Sequence, residues 1–226
     1  MFGQTIDYWV LRSLTHTRNR ATEAELDERA NKPAPYDADK ALARLRKLMH
    51  RFDGHFPIHD DLRYLDIGCG TGDITLALTR LGVGDVTGID MLPRNIATAE
   101  RYASETQTAA RFVCDDIHRW DAPHRYHVVL SHEALEHIAN PRDFLQRLTE
   151  LVEPDGVALL AFGPLFYSPL GDHMWDFFKV QIPWRGFVFS EKAILKLRRE
   201  RFRPTDPATR YPEIKGGLNL RDTRSF

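Results

Sequence analysis

Between Arg63 and Phe162, short apolar runs alternate with segments in which apolar residues recur at helical spacing. The short runs predict strands at Arg63–Gly68, Asp85–Asp90, Arg111–Cys114, His127–Ser131 and Val157–Phe162. The helical spacing predicts helices over Asp73–Leu81, Pro93–Ala103 and Asp143–Val152. Because strand–helix alternation is typical of α/β proteins, we predict a Rossmann-like, mostly parallel sheet with helices on both faces.

The flanking residues predict a division of the chain into four parts. Residues 1–60 form an N-terminal helical segment, in which Asp37 caps a helix that ends near His50. Residues 61–163 form the core, with a turn at Pro154–Gly156 before its last strand. Residues 164–189 form an aromatic-rich insertion over the site at the strand ends. Residues 190–226 form a C-terminal helix, capped by Ser190 and ending near Glu200, and a basic tail.

Composition restricts the class of protein. The 226 residues include 42% hydrophobic and 28% charged residues, which is ordinary for a globular chain. The net charge of −1 gives no overall field that attracts nucleic acid or an anionic membrane. No apolar run approaches the roughly 20 residues of a membrane span, and no signal peptide pattern is present. The two cysteines lack metal or disulfide spacing, so we expect a cytoplasmic protein.

Basic residues concentrate towards the end of the sequence. From Ile182 to Phe226 there are 11 Lys and Arg residues against 5 Asp and Glu residues, and Lys196–Arg203 is the densest stretch. A solvated helix face accounts for such a run, and the alternative is a surface that receives a phosphorylated substrate.

The segment Tyr64–Gly72 carries the strongest motif. A predicted strand ends in Gly68-x-Gly70-x-Gly72, and a helix follows at once, so the backbone can turn sharply and approach a ligand without Cβ clashes. A dinucleotide-binding loop would place its third glycine at position 73, which is Asp73 here. The spacing therefore favours a ligand without phosphates.

Acidic residues follow the next two strands. Asp90 ends the second strand, 18 residues after Gly72, where a carboxylate can hold both hydroxyls of a ribose. Cys114-Asp-Asp-Ile117 follows the third strand. With the glycine loop, this order of features resembles the class I S-adenosylmethionine-dependent methyltransferases over roughly Asp61 to Phe162. The run Glu136–Pro141 and Glu153–Gly156 is similar to the group that includes the ubiquinone-biosynthesis O-methyltransferases.

The resemblance implies a cofactor, S-adenosyl-L-methionine, and a set of residues that bind it. Asp66 and Gly68, Cys69, Gly70, Thr71 and Gly72 would contact the methionine portion. Asp90 would hold the ribose, and Asp116 and Ile117 would contact the adenine. The neighbouring residues Met91 and Asp115 also belong to the predicted cofactor-binding set. Ser131 and His132 would line the site below the sulfonium.

The resemblance also implies that the sheet is incomplete. Class I domains usually end with two further strands, whereas only Leu218–Leu220 predicts a short strand after the last helix. We therefore expect that the last edge strands are missing and that the chain is part of a longer, multidomain protein. The alternative is a short variant whose N-terminal helices cover the edge that would otherwise be open to pairing.

Residues after the fourth strand are candidates for the acceptor side. If a helix begins there, Glu133, Glu136 and His137 share one face. With His173 from the aromatic insertion they would form a site for Mn, Fe, Zn or Mg. This Glu-x-x-Glu-His run resembles the metal-using small-RNA 2′-O-methyltransferases. A structural role for Glu136 and His137 is the alternative, and without metal His132 or His137 would act as the general base.

Three functions are compatible with these features. The first is O-methylation of a hydroxyl on a small molecule or glycan precursor, which suits the aromatic-rich insertion and its loose similarity to bacterial sugar- and polysaccharide-pathway methyltransferases. The second is an RNA ribose 2′-O-methyltransferase, disfavoured by the absence of an overall basic excess and of an RNA-binding module. The third is a cofactor-binding or scaffold domain without catalysis.

Overall fold

A computed structural model describes residues 6–14, 28, 32, 34–138, 140–172, 181–201 and 203–213. Its contacts divide the chain into two compact units. One, the sheet unit, comprises Pro33–Leu135 and Asn140–Phe162. The other, the helical unit, comprises Met1–Lys32, Glu136–Ala139 and Gly163–Phe226. Residues 33–60 thus belong with the sheet by these contacts, whereas the sequence pattern places them in an N-terminal segment.

The sheet unit is built on five parallel strands in the order β3-β2-β1-β4-β5. The strands are β1 Arg63–Ile67, β2 Asp85–Asp90, β3 Arg111–Cys114, β4 Tyr126–His132 and β5 Val152–Ala161. The predicted Rossmann-like parallel sheet is confirmed, and the first four predicted strands match the observed ones to within one residue at each end. The fifth, predicted at Val157–Phe162, begins five residues earlier in the structure and ends at Ala161. The predicted strand Leu218–Leu220 lies outside the described residues.

Four helices accompany the strands in the described part of the sheet unit: α2 Ala38–Arg51, α3 Asp73–Arg80, α4 Pro93–Glu105 and α5 Pro141–Leu151, with α1 preceding them in the helical unit. Asp37 caps α2 by accepting the backbone N–H of Lys40, as predicted. The apolar face of α2, with Leu45 and Leu48, packs into one core cluster with Leu78 of α3 and Leu130 of β4.

The predicted turn at Pro154–Gly156 is wrong, because these residues lie inside β5. β5 pairs with β4 at Val152, opposite Tyr126, and again at Val157, opposite Val128. The residues of β5 between these two pairs form an irregular bulge. Gly156 is required there: a Cβ would come within 2.8 Å of the His127 carbonyl oxygen. The bulge thus accommodates the turn-forming residues without ending the strand.

The helical unit contains three described α-helices: α1 Ile6–Leu14, α6 Arg185–Val188 and α7 Glu191–Arg201. Tyr8 and Leu11 of α1 pack with Ile194 and Leu197 of α7 in one core cluster. Ser190 precedes α7 and accepts the Ala193 N–H at 3.2 Å, which confirms the predicted cap. Between α6 and the preceding segment, Arg185 and Asp172 form a buried two-bond ion pair, at 2.6 and 3.0 Å.

Among the described residues, no helix is both long enough and apolar enough to cross a membrane.

Candidate functional site

The strand order places a crevice at the carboxyl ends of β1 and β4. Chain connections run outward from β1 through β2 to β3 on one side, and then return to β4 and β5 on the other. Ile67 and Ser131, near the two strand ends, are register partners. Open α/β sheets bind ligands outside the carboxyl ends of their strands, where the order reverses. The candidate site is therefore the set of residues that follow β1, β2, β3 and β4.

The glycine loop after β1 is shaped by three residues with positive φ: Gly68 at 74°, Gly70 at 55° and Gly72 at 84°. A Cβ at Gly68 would lie 2.6 Å from the Ala134 Cβ, and one at Gly72 would lie 2.9 Å from the Phe112 ring. At Gly70, a Cβ would meet nothing within 4 Å. The outer glycines thus permit close packing, whereas Gly70 borders open space.

Asp90 connects the end of β2 to this loop. Its Oδ2 accepts the Gly70 N–H at 3.0 Å, and its Oδ1 accepts the Leu92 N–H at 2.8 Å and the Asn95 amide at 3.2 Å. An ionised carboxylate has about four acceptor positions, so Oδ2 retains capacity for a further donor beside the open space at Gly70. The predicted ribose-binding residue therefore faces the predicted loop.

Asp66 is buried at the end of β1, 2% exposed. Burial raises the pKa of this carboxyl to about 7, against the lowering effect of the Thr75 hydroxyl, which donates to Oδ2 at 2.7 Å. The negative charges of Asp90 and Asp73 raise it further. A cationic group next to this buried carboxyl would favour its ionised form and lower its pKa.

Cys69 and Thr71 complete the loop. The Cys69 side chain is buried, and burial, with the charges of Asp66 and Asp90, raises the pKa of its thiol. The Cys69 N–H donates to the Ile89 carbonyl at 3.1 Å, and its own carbonyl accepts from Gly72 at 2.9 Å. The backbone of Cys69 therefore holds the loop in shape, and the raised pKa favours the neutral thiol over the thiolate.

The residues after β3 form a compact turn. Asp116 accepts the His118 N–H at 3.0 Å, and Asp115 accepts the Asp116 N–H at 2.7 Å. Ile117 is buried, and Arg147 of α5 donates to its carbonyl at 3.1 Å. An apolar side chain fixed in this way can pack against a flat ring. Met91, 65% exposed, follows β2, and its carbonyl oxygen lies 4.0 Å from the Cys114 sulfur.

The end of β4 presents two different side chains. Ser131 is buried, and its hydroxyl donates to the Ile67 carbonyl at 3.1 Å, so this hydroxyl joins two strands. His132 is the last residue of the strand, and its side chain is 13% exposed. Its Nε2 lies 3.8 Å from the Glu133 carboxylate, which would stabilise a protonated imidazole.

The expectation that Glu133, Glu136 and His137 lie on one face of a helix is wrong. Glu133 has a φ of 55° and donates its N–H to the Ala161 carbonyl at 2.8 Å, so it extends the pairing of β4 with β5. A single 3₁₀ turn follows, at Leu135–His137. Because Glu133 is not helical and the turn is only three residues long, the α-helical spacing on which the shared face depends does not exist.

Glu136 nevertheless has an unusual environment. It is 3% exposed, and its Oε1 accepts the Gly163 N–H at 3.4 Å. Its Oε2 is buried and has no hydrogen-bond partner among the described residues. Such an oxygen is costly unless a donor or a cation reaches it. His137, by contrast, is exposed.

The proposed metal site stays a prediction, since His173 lies outside the described residues. Within the described part of the chain, three potential ligand atoms come within 4.8 Å of one another at His59, Asp60 and Asp61 only. These three are exposed, and exposed acidic groups of this kind are common without an ion.

Three positioning residues were missed from the sequence: Thr75, Asn95 and Arg147. Each lies on a helix and contacts a predicted site residue through its side chain, Thr75 to Asp66, Asn95 to Asp90 and Arg147 to Ile117. The position of Asn95, five residues after Asp90 and at the start of a helix, is a signal that could have identified it. Arg147 has no such signal, because it comes from 30 residues further along the chain.

Known proteins resemble the sheet unit. The sequence profile of a methyltransferase domain matches residues 65–156. The ubiquinone biosynthesis O-methyltransferase of Rickettsia bellii is 34% identical over 118 residues, 52% of this chain and 49% of that protein. Its counterpart in Azorhizobium caulinodans is 34% identical over 157 residues, 58% of this chain and 61% of that protein. The chain spans about half the length of most of these curated relatives.

Among solved structures, coclaurine N-methyltransferase bound to N-methylheliamine and SAH aligns with 57% of this chain and 38% of its own. The TM-score is 0.48 and the sequence identity is 23%. The matched profile covers the glycine loop and the predicted site residues from Asp66 to His137.

Proposed function

The chain carries a class I S-adenosylmethionine-dependent methyltransferase domain, and from this premise we propose that it methylates a hydroxyl on a small molecule or glycan precursor. The observation that carries the methyl-transfer part is the pairing of Gly70 with Asp90 beside open space at the strand-order reversal. The hydroxyl acceptor is supported by the names of the relatives, which are O-methyltransferases.

The loop residues fit the cofactor. The open space at Gly70 admits a ligand against the backbone, and the free acceptor capacity of Asp90 suits ribose hydroxyls. The buried Asp66 carboxyl suits the ammonium of the methionine portion, because a cation favours its ionised form. Ile117, with Asp116 beside it, offers an apolar wall for the adenine.

Other members of the predicted cofactor set contribute through the backbone. Thr71 lies between two glycines of positive φ, and Ser131 joins β1 to β4 and so fixes the crevice between them. Met91 and Asp115 lie on the surface next to Asp90 and Asp116. We propose that these four shape the pocket rather than bind the charged parts of the cofactor.

When bound, S-adenosylmethionine would supply a methyl group whose carbon is attacked by the nucleophile, while the sulfur leaves as a neutral thioether. The protein has to orient the acceptor hydroxyl and remove its proton. We propose that His132 accepts this proton, since it ends β4 next to the crevice and the Glu133 carboxylate can stabilise the resulting imidazolium. His137, which is exposed, is the alternative base.

Glu136, in the helical unit, belongs to the metal set predicted from the sequence, and its buried Oε2 would accept a hydroxyl or hold a cation. Both possibilities satisfy an oxygen that the described residues leave without a donor.

Two free thiols, at Cys69 and Cys114, support a reducing, cytoplasmic location.

The experiment is a screen with S-adenosylmethionine labelled in its methyl group. Purified protein is incubated with catechols and other phenols, nucleotide-sugars and short RNAs, and label transferred to each is counted. Transfer to phenols or nucleotide-sugars, lost in Asp90→Ala, is the expected result. Transfer to RNA alone would replace the proposed acceptor class. Tight cofactor binding by calorimetry without transfer to any acceptor would indicate a domain that only binds the cofactor.

A further inference from the structure

Three cationic side chains lie along one stripe of α7, in the helical unit. Lys192, Lys196 and Arg199 are spaced i, i+4 and i+7, so they project from the same side of the helix. The other side is buried, with Ala193, Ile194 and Leu197 in the core of the unit. The core therefore fixes the rotation of the helix and with it the direction in which the three cations point.

These cations line a cavity of about 510 Å³. The other lining residues are Leu195 and Glu200 of the same helix and Ala208 and Thr209 of the segment that follows it. Counting three cations and one acid, the lining carries a net charge of +2. A volume of this size lies within the range of small-molecule sites.

The single acid of the lining is already engaged. The Tyr8 hydroxyl donates to Glu200, and the Lys196 ammonium lies 3.8 Å from the same carboxylate and 4.5 Å from the Tyr8 ring centre. Within the described part of the chain, no carboxylate lies within 4.0 Å of Lys192 or Arg199. Lys192 thus has no ion-pair partner among the described residues, and Arg199 has only the longer-range attraction of the Asp206 carboxylate.

The wall opposite the helix is held in place. Arg198 pairs with Asp206, and the Ala208 N–H donates to the same carboxylate at 2.9 Å. Burial opposes ionisation of Asp206, but these two donors outweigh it and hold the pKa of the carboxyl below its ordinary value. Glu213 accepts from both the N–H and the hydroxyl of Thr209, at 2.7 and 2.9 Å. The segment is therefore ordered before any ligand arrives.

Arg199 is oriented by this wall. Its Nη2 donates to the Ala208 carbonyl at 2.7 Å, which fixes the plane of the guanidinium at the cavity. Its Nε is buried and has no hydrogen-bond partner among the described residues. The buried Nε is closed to a ligand, so an anion in the cavity would meet the outer N–H groups of this oriented guanidinium.

We propose that this cavity binds the phosphate groups of a phosphorylated small molecule, with Lys192 and Arg199 as its charged ligands. The ligand carries at least two negative charges, which match the net charge of the lining, and a diphosphate ester meets this requirement. Leu195, Ala208 and the lysine stems offer apolar contact to the rest of the molecule. The proposal is independent of methyl transfer, because all its residues belong to the helical unit.

The test is calorimetric titration of the full chain with inorganic pyrophosphate, near physiological ionic strength. The double variant Lys192→Ala and Arg199→Ala removes both proposed ligands. The double variant Lys47→Ala and Arg201→Ala is the matched control, since it removes two exposed cations that do not line the cavity. Circular dichroism melting of both variants shows whether either loses its fold.

We expect saturable binding to the unmodified chain and to the control, and at least about a tenfold weaker binding to the Lys192 and Arg199 variant. No saturable binding, or an equal loss in both variants, would overturn the proposal. Competition separates the sources of phosphate: displacement of pyrophosphate by a nucleoside diphosphate supports a soluble ligand. Stronger binding to phosphatidylcholine vesicles containing phosphatidic acid, or to single-stranded RNA, would contradict the small-molecule assignment. If the double variant fails to fold, Lys192→Ala alone provides the same comparison.

Discussion

The Gly70 N–H donates to Asp90 Oδ2 over 3.0 Å, joining two residues that lie 20 positions apart at the ends of neighbouring strands. This hydrogen bond places the most open point of the glycine loop beside the carboxylate that the sequence predicts to hold a ribose. The relationship follows from the parallel register, in which Ile67 of β1 pairs with Ile89 of β2. Loop and acid therefore act as one structural element, and each can be tested separately.

Gly70→Ala tests the loop. Gly70 has a φ of 55° and Gly54 a φ of 82°, and a Cβ at either would meet nothing within 4 Å. Alanine at each position therefore costs a similar amount, about 1 kcal/mol, through backbone strain alone. Because only Gly70 borders the site, we expect Gly70→Ala to weaken S-adenosylmethionine binding by at least about tenfold in calorimetry. Gly54→Ala should keep the affinity of the unmodified chain, and an equal effect of both would contradict a ligand at the loop.

Asp90→Ala tests the acid. The substitution removes a charged acceptor from the site, and a hydrogen bond to a charged group contributes about 1.5–3 kcal/mol. We expect the dissociation constant of S-adenosylmethionine to rise about tenfold or more. Asp85→Ala, at the opposite end of the same strand and paired with Arg111, is the control. If calorimetry gives Asp90→Ala the affinity of the control, the ribose role is wrong.

The regular elements of the sheet unit could be predicted from local sequence. The bounds of β2 and β3 agree with the prediction at both ends, because short apolar runs flanked by turn-forming residues define strands within a few residues. The positions of Asp90 and the glycine loop at neighbouring strand ends also agree with the sequence, while their binding roles stay predictions. Turn-forming residues gave a wrong prediction at Pro154–Gly156. This segment stays within β5 as a bulge, because the strand pairs with β4 on both sides of it.

Contacts between distant residues could not be predicted. Whether Glu133 continues a helix depends on its hydrogen bond to Ala161, which is 28 residues away along the chain. The hydroxyl of Ser131 was expected to line the site, yet it donates to the backbone of β1, because register determines its neighbour. The position of the Ile117 carbonyl likewise depends on a hydrogen bond from Arg147 of α5. Local patterns contain no information on such partners.

Asp66→Asn tests the buried carboxyl through the pH dependence of stability. The pKa of Asp66 is about 7 in the folded chain and about 4 in an unfolded one. The unfolded chain therefore releases this proton first, and the free energy of unfolding falls as pH rises from about 4 to about 7, by up to about 4 kcal/mol. Asparagine does not titrate and still accepts from Thr75. We expect the variant to gain stability relative to the unmodified chain across this window.

Urea unfolding of both proteins at a series of pH values, without cofactor, measures this difference. A constant difference from pH 4 to pH 8 would show that Asp66 ionises normally. S-adenosylmethionine provides a second check: if its ammonium meets Asp66, binding near pH 6 releases a proton from the unmodified chain. Calorimetry in buffers of different ionisation enthalpy detects that proton, and Asp66→Asn should not release it.

The final prediction separates a histidine base from a metal. His132→Ala should lower the turnover number by about a hundredfold or more, because it removes the group that accepts the proton, while cofactor affinity stays unchanged. The exposed His59 supplies the control variant His59→Ala. Full turnover in His132→Ala, with a substrate that the unmodified chain methylates, would rule out the histidine base.

A metal mechanism requires a different set of results. If a divalent cation bound by Glu136 lowers the pKa of the acceptor hydroxyl, EDTA abolishes turnover and Mn²⁺ restores it. Glu133 belongs to such a site only if its carboxylate turns inward, whereas its backbone pairs with Ala161 of β5 and its side chain is 58% exposed. We therefore expect full turnover in EDTA after dialysis, and a larger loss from Glu136→Gln than from Glu133→Gln. Loss of activity in EDTA, with an equal effect of both substitutions, would instead establish the metal site and make His132 a positioning residue.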